Sequence, residues 1–260
     1  MPRPICILGM HRSGTSLVAE IVHELGVGLG PDDTMLKPDV SENPRGYWEQ
    51  TAIRSVNDQI LRSLGGSWWR PPACPPRWER DPGLVPFRDA ARRALGEIAG
   101  DAPRWGFKDP RCSITLPFWQ TVTDDLDYVV CLRDPAQVVA SMKRRYQHAP
   151  RDQRLPLGSR IWPPSWARLW IRYTIDALRY TSGCRAIVVR YEQLLVPDSS
   201  ELARLGAFVG GSAPDRLDRA RAVVDPALWR QRDVASSRMR LRPSMKRAAR
   251  IYRELSAGLG

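Results

Sequence analysis

A chain of 260 residues, 43% of them hydrophobic, can bury a sizeable core, and one domain over residues 1–260 is the expectation. It holds no run of about eighteen apolar residues, and its first apolar stretch breaks into a loop where a secretory leader would continue, so a membrane span is excluded and a cytoplasmic protein expected. Forty Lys and Arg against twenty-eight Asp and Glu give a net charge of +12, which favours anionic ligands such as nucleotides, acidic lipids or glycans over neutral ones, with nucleic acid unlikely and part of the arginine excess equally readable as solvated surface.

The first twenty-five residues read as strand, loop and helix. Ile5 to Leu8 is a short buried parallel strand, and Leu17, Val18, Ile21, Val22 and Leu25 recur at helical spacing. Gly9 and Gly14 bracket the loop between them. Glycines there let the backbone turn and present its N–H groups to a phosphate at the positive end of the helix. Gly9 through Ser16 match the GxxxxGK[ST] spacing of a nucleotide-triphosphate loop, except that Thr15 stands where the lysine belongs. Arg12, Ser13, Thr15 and Ser16 supply a cation and hydroxyls instead. The loop suits an anion other than a magnesium triphosphate, or else is an ordinary turn with incidental glycines.

Gly26 to Gly30 ends the first helix, and a polar connection follows with Ser41-Glu-Asn-Pro-Arg-Gly-Tyr-Trp-Glu49, too long for a purely structural loop. A helix is expected over 50–64. The proline-rich stretch from Trp68 to Trp78 cannot be regular structure, and residues 31–83 and 150–164 read as loop or lid insertions. Then come a helix over about 84–99, a short strand within Arg104–Arg111, and a helix that Ser113 is expected to cap. Asp127 to Leu132 is a second clear strand, ending in Arg133-Asp-Pro135 and a helix with Val138, Val139, Met142 and Tyr146. A helix over Ser165–Tyr180 precedes the strand Arg185–Tyr191, helices near 199–209 and 213–224, a basic segment through Arg238, Arg240 and Arg242, and a terminal helix.

Alternating strands and helices predict an α/β fold: three layers, a mostly parallel central sheet flanked by helices, P-loop-like. Ligands of such sheets lie beyond the carboxyl ends of the strands, so the turns after Leu8, Leu132 and Arg190 are expected to share one crevice. The cysteines at 6, 74, 112, 131 and 184 have no CxxC spacing and read as buried free thiols. No His/Cys/carboxylate cluster has metal-ligand spacing, so no metal is expected.

Three features together resemble the sulfotransferases that use 3′-phosphoadenosine 5′-phosphosulfate (PAPS), in particular their bacterial branch: the loop Gly9-Met-His-Arg-Ser-Gly-Thr-Ser16, Arg133 with Ser141 eight residues on, and Tyr191-Glu-Gln-Leu194 after a strand. The resemblance covers residues from about 5 to 209. It implies that His11–Ser16, with Gly14, hold the 5′-phosphosulfate with Arg12 near the bridging oxygen, that Arg133 and Ser141 hold the 3′-phosphate, and that Tyr191 lies near the adenine. A basic C-terminal segment, here Arg238 and Arg240, closes on the donor in such enzymes or is a solvated run. Two departures stand out. The loop carries Arg12 where cytosolic members carry lysine, and Lys108-Asp-Pro-Arg111 has no counterpart to their catalytic histidine. The implied reaction moves a sulfuryl group to a hydroxyl of a small molecule, lipid or glycan; a P-loop kinase-like phosphotransferase and a non-catalytic nucleotide- or polyanion-binding module are the alternatives.

For the base, Glu42 comes first, because with Tyr47 and Trp48 it resembles the glutamate-then-aromatics segment of carbohydrate sulfotransferases; Asp109 is second and His11 third. Glu42 paired with Arg45 would instead only order its loop. Trp68, Trp69, Trp78 and Trp162 are candidates for an aromatic acceptor platform. Trp166 and Trp170, at helical spacing, read as core. Lys108 is open between a donor contact and a surface position.

Overall fold

The computed structural model describes residues 3–37, 45–123, 125–148, 163–197, 199–229 and 242–258. Its sheet has four strands, β1 (Ile5–Leu8), β2 (Gly106–Lys108), β3 (Asp127–Leu132) and β4 (Ala186–Arg190), in the order β2-β1-β3-β4. All three pairings are parallel, in the registers Ile7↔Lys108, Leu8↔Val130 and Leu132↔Arg190. Every residue of β1, β2 and β3 is buried, which is why Ile5–Leu8 and residues 128–132 read as continuous apolar runs without alternation.

Successive strand residues face opposite sides. Ile5, Ile7, Val129, Cys131 and Val189 point into one layer against α1 (Thr15–Glu24) and α8 (Glu201–Val209), with α9 (Pro214–Ala222) packed on α1. Cys6, Leu8, Phe107, Tyr128 and Val130 point into the other, against α2 (Thr51–Ser63), α3 (Val85–Ala99) and α4 (Cys112–Val122). A third cluster beyond the strand ends joins Met10 and Leu132 to α5 (Pro135–His148), α6 (Pro163–Tyr180) and α10 (Pro243–Ala257). The remaining short helix, α7 (Tyr191–Leu194), follows β4 directly.

Several expectations change. Ser113 does not cap α4: Arg111 occupies that position without a side-chain bond, and the Ser113 hydroxyl accepts from the Gly9 N–H at 2.9 Å. The helix expected over 50–64 is present as Thr51–Ser63, with Ile53, Val56, Ile60 and Leu61 buried because its apolar residues recur on one face. Trp78 leaves the acceptor platform, since it opens a 3-10 turn and is buried in the second core layer. All five cysteines are free, but Cys184 is exposed and Cys74 half-buried. Most of 150–164, with Trp162, lies outside the described residues. No helix among the described residues is long and apolar enough to cross a membrane.

Candidate active site

The carboxyl ends of β1, β3 and β4 lie side by side, so the turns after Leu8, Leu132 and Arg190 do open on one crevice, and the end of β2 adds Lys108 to Arg111. The glycine loop leaves β1 through a backbone that only glycine adopts easily. Gly9 has φ +145°, and a Cβ there would sit 2.9 Å from the Cys131 carbonyl oxygen. Gly14, at φ +91°, starts α1, and a Cβ there would sit 2.0 Å from Cδ2 of the Tyr191 ring. Tyr191 is thereby brought against the loop. Arg12 is itself in the left-handed region, with φ 68°, a conformation that non-glycine residues hold only where the surroundings impose it.

The loop is braced from behind. The Ser13 amide donates to the Met10 carbonyl at 3.0 Å, the Ser13 hydroxyl donates to the same oxygen, and the Cys131 thiol donates to the Ser13 carbonyl at 2.9 Å. Ser13 and Thr15 are buried. No side chain caps the N-terminus of α1, so its first N–H groups are not claimed by one. A ten-residue helix with such an end, preceded by two glycines, is a physically sound anion cradle.

A second cationic group lies beside it. Arg12 Nε donates to Ser141 Oγ at 3.0 Å, and Arg133 Nη1 donates to the Arg12 carbonyl at 3.0 Å. The Arg133 guanidinium lies 4.2 Å above the Tyr191 ring, and its Nε donates to Gln137 Oε1 at 3.2 Å, an oxygen that also accepts from Trp229 Nε1 at 2.7 Å. Trp170 Nε1 holds the Arg133 carbonyl at 3.1 Å, so Trp170 is core and orients the site as well. Burial raises the Tyr191 phenol above its usual range, and that side chain stays neutral. Arg12 thus joins the glycine loop to Ser141 through its side chain and to Arg133 through its carbonyl.

The three candidate bases fare differently. Glu42 lies outside the described residues, while Arg45, its suggested partner, is 3.5 Å from Glu20 and donates to the Val223 carbonyl. Asp109 is fully buried, and its two oxygens accept from Arg111 Nη1 at 3.1 and 3.0 Å, with Oδ1 also taking the Arg111 amide at 2.7 Å. Burial pushes its carboxyl up, yet both oxygens are spent on Arg111. His11 is buried against Trp68 at 4.7 Å and Tyr173 at 5.6 Å, ring centre to ring centre. Burial, then Arg111, Arg145, Lys108 and Arg54 in turn, hold its imidazole well below the usual histidine range. It is neutral at pH 7, and its Nε2 is buried without a hydrogen-bond partner. Trp68 stacks on Trp166 at 6.4 Å, while Trp69 is half-buried.

Lys108 resolves away from the surface. Its ammonium is buried and donates to Glu49 Oε1 at 2.6 Å, the Tyr47 carbonyl at 2.8 Å and Ser16 Oγ at 3.4 Å. Glu49 and Arg111 carry no signal in the sequence beyond their places in the segments that end in Trp-Glu and begin in Lys-Asp-Pro; the fold brings them together. Arg238 and Arg240 lie outside the described residues. Among the described residues no group of His, Cys, Asp and Glu is arranged to hold a metal ion.

A profile of the sulfotransferase family matches residues 4–215. The chain belongs to the sulfotransferase family. The sulfotransferase fold extends past the matched part: a sulfotransferase domain from the curacin biosynthetic pathway superposes with a TM-score of 0.56 at 16% identity, covering 98% of each chain. One from the Synechococcus PCC 7002 olefin synthase gives 0.55 at 15% identity, over 96% of this sulfotransferase and 94% of that domain. Sulfotransferase STF9 from Mycobacterium avium gives 0.50 at 14% identity, over 85% and 68%. No curated protein matches closely enough to count as a relative.

Proposed function

We propose that this sulfotransferase moves a sulfuryl group from PAPS to a hydroxyl of a small-molecule, lipid or glycan acceptor, as a single cytoplasmic domain and without a metal. The observation that carries the reading is that the uncapped α1 end with its glycine loop is joined through Arg12 to Ser141 and to Arg133, each at 3.0 Å, which gives room for two anion subsites. A donor with a 5′-phosphosulfate and a 3′-phosphate needs both; a nucleoside triphosphate needs one, together with the lysine that Thr15 replaces.

In that reading Gly14, Thr15 and Ser16 place N–H groups and hydroxyls on the 5′ end of the donor. Ser141 and Arg133 take the 3′-phosphate, and Tyr191, with Arg133 on its face, borders the adenine. Transfer is an in-line displacement: the acceptor oxygen bonds to sulfur as the bond from sulfur to the bridging oxygen breaks, and that bond's electron pair stays on the departing phosphate. Arg12 stabilises the charge gathering there, and as a permanent cation it cannot be the proton donor.

The acceptor's proton goes to Glu42; Asp109 is a weaker candidate because Arg111 occupies it, and His11 is one because burial and the cations around it oppose its protonation. Glu42→Gln should leave donor binding intact and cut turnover about 10²–10⁴-fold. A fully active Glu42→Gln enzyme, together with an inactive His11→Ala enzyme, would assign the base to His11. The reaction itself is tested with sulfur-labelled PAPS over a panel of hydroxylated acceptors. Label transferred to an acceptor is the expected result; nucleotide binding that persists without any transfer would identify a binding module instead.

A further inference from the structure

The buried pair Lys108 and Glu49 lies beside the donor loop but is not needed to explain how that loop is built. All three N–H donors of the Lys108 ammonium are used, on Glu49 Oε1, the Tyr47 carbonyl and Ser16 Oγ. The Ser16 hydroxyl in turn donates to the same Tyr47 carbonyl at 3.2 Å, so the ammonium is held to the loop by Ser16 and to the segment beside it by the Tyr47 carbonyl, neither contact involving Glu49. Glu49 is itself buried. Its second oxygen is 3.9 Å from Arg111 Nη1, but Arg111 is already committed to Asp109 and, at 2.8 Å, to Asp58. Glu49 is therefore the carboxylate that neutralises Lys108.

Side-chain exposures of 1% for Lys108 and 8% for Glu49 place the pair where salt screens little and charge acts over several ångströms. An anion arriving at Ser16 meets a compensated ion pair where Lys108 alone would present a full cation. We propose that Glu49 is a positioning residue that sets the anion affinity of the donor loop by balancing Lys108, and that it keeps the spent nucleotide from being held too tightly. Binding that is equally strong for donor and product does not speed transfer and slows release, so a neutralising partner for a buried lysine at this place has a use. The inference rests on the donor-site reading above.

Its distinguishing feature is sign. Were Glu49 only a structural brace, its loss would loosen the loop and weaken nucleotide binding. As a balancing charge, its loss leaves Lys108 on Tyr47 and Ser16 with its charge uncompensated. Glu49→Gln, which keeps the shape and an acceptor for Lys108, should bind 3′,5′-adenosine bisphosphate about tenfold more tightly by calorimetry, with a steeper loss of affinity as salt is added and a lower KM for the donor. Circular dichroism establishes that the variant is folded. Should it not fold, Glu49→Asp, whose carboxylate is drawn back from Lys108 by one methylene, carries the test with a smaller gain in the same direction. Unchanged or weaker binding by the folded variant overturns the inference while leaving the donor site in place. A wild-type protein that fails to bind the bisphosphate overturns the donor-site reading itself.

Discussion

Gly14→Ala should abolish measurable binding of the donor nucleotide and lower the stability of the fold. The position combines two constraints that elsewhere occur singly. Its φ of +91° costs an L-residue about 1–2 kcal/mol, and the added methyl group would stand 2.0 Å from the Tyr191 ring, an overlap that packed interiors relieve at about 1–3 kcal/mol. The ring cannot simply retreat. It begins α7, is buried, and has the Arg133 guanidinium on its face. Relief must come from the loop, which is the part that is to hold the anion. Thermal unfolding and calorimetry on the same preparation check both halves: a loss of about 2–5 kcal/mol together with lost nucleotide binding is expected, and a variant that melts and binds like the wild type would mean that the loop does not hold this conformation in solution.

Arg133→Ala should weaken 3′,5′-adenosine bisphosphate by about 1.5–3 kcal/mol, or roughly 10- to 150-fold, the value of a charge-assisted hydrogen bond. The side chain holds three things at once: the Arg12 carbonyl, the Gln137 amide oxygen and the Tyr191 ring. Its loss thus removes a phosphate ligand and also slackens the loop at Arg12. Arg133→Lys separates the two contributions, since lysine keeps the charge but lacks the planar fork that reaches Arg12 and Gln137 together. The lysine variant should recover part of the affinity. Equal affinity in wild type and Arg133→Ala would remove Arg133 from the donor site.

These residues differ in how far they could be read from the sequence, for physical reasons. The shape of Gly9 to Ser16 was legible because strand, loop and helix are contiguous in one short stretch, and the parallel sheet follows from buried strands alternating with helices. Arg133 and Ser141 were singled out by the resemblance, and the fold brings both to Arg12. Contacts made only by the fold were not legible. Lys108 and Glu49 are 59 residues apart, and in a chain with 26% charged residues nothing local marks that pair as buried. Ser113 before a helix looks like a cap, yet its hydroxyl serves Gly9 across 104 residues of sequence. Trp78 illustrates the opposite error: prolines around it announce irregular backbone, which does not prevent the indole from filling the core. His11 could be named from the loop motif, but its neutrality could not, because that comes from burial and from Arg111, Arg145, Lys108 and Arg54 closing around it.

The central claim is that the crevice is a two-phosphate site built for a 3′-phosphorylated nucleotide. Titrating the protein in a calorimeter with 3′,5′-adenosine bisphosphate and, separately, with ATP and Mg²⁺ tests it most directly. Tighter binding of the bisphosphate, indifferent to magnesium, is the predicted result, and a preference for ATP with magnesium would contradict it.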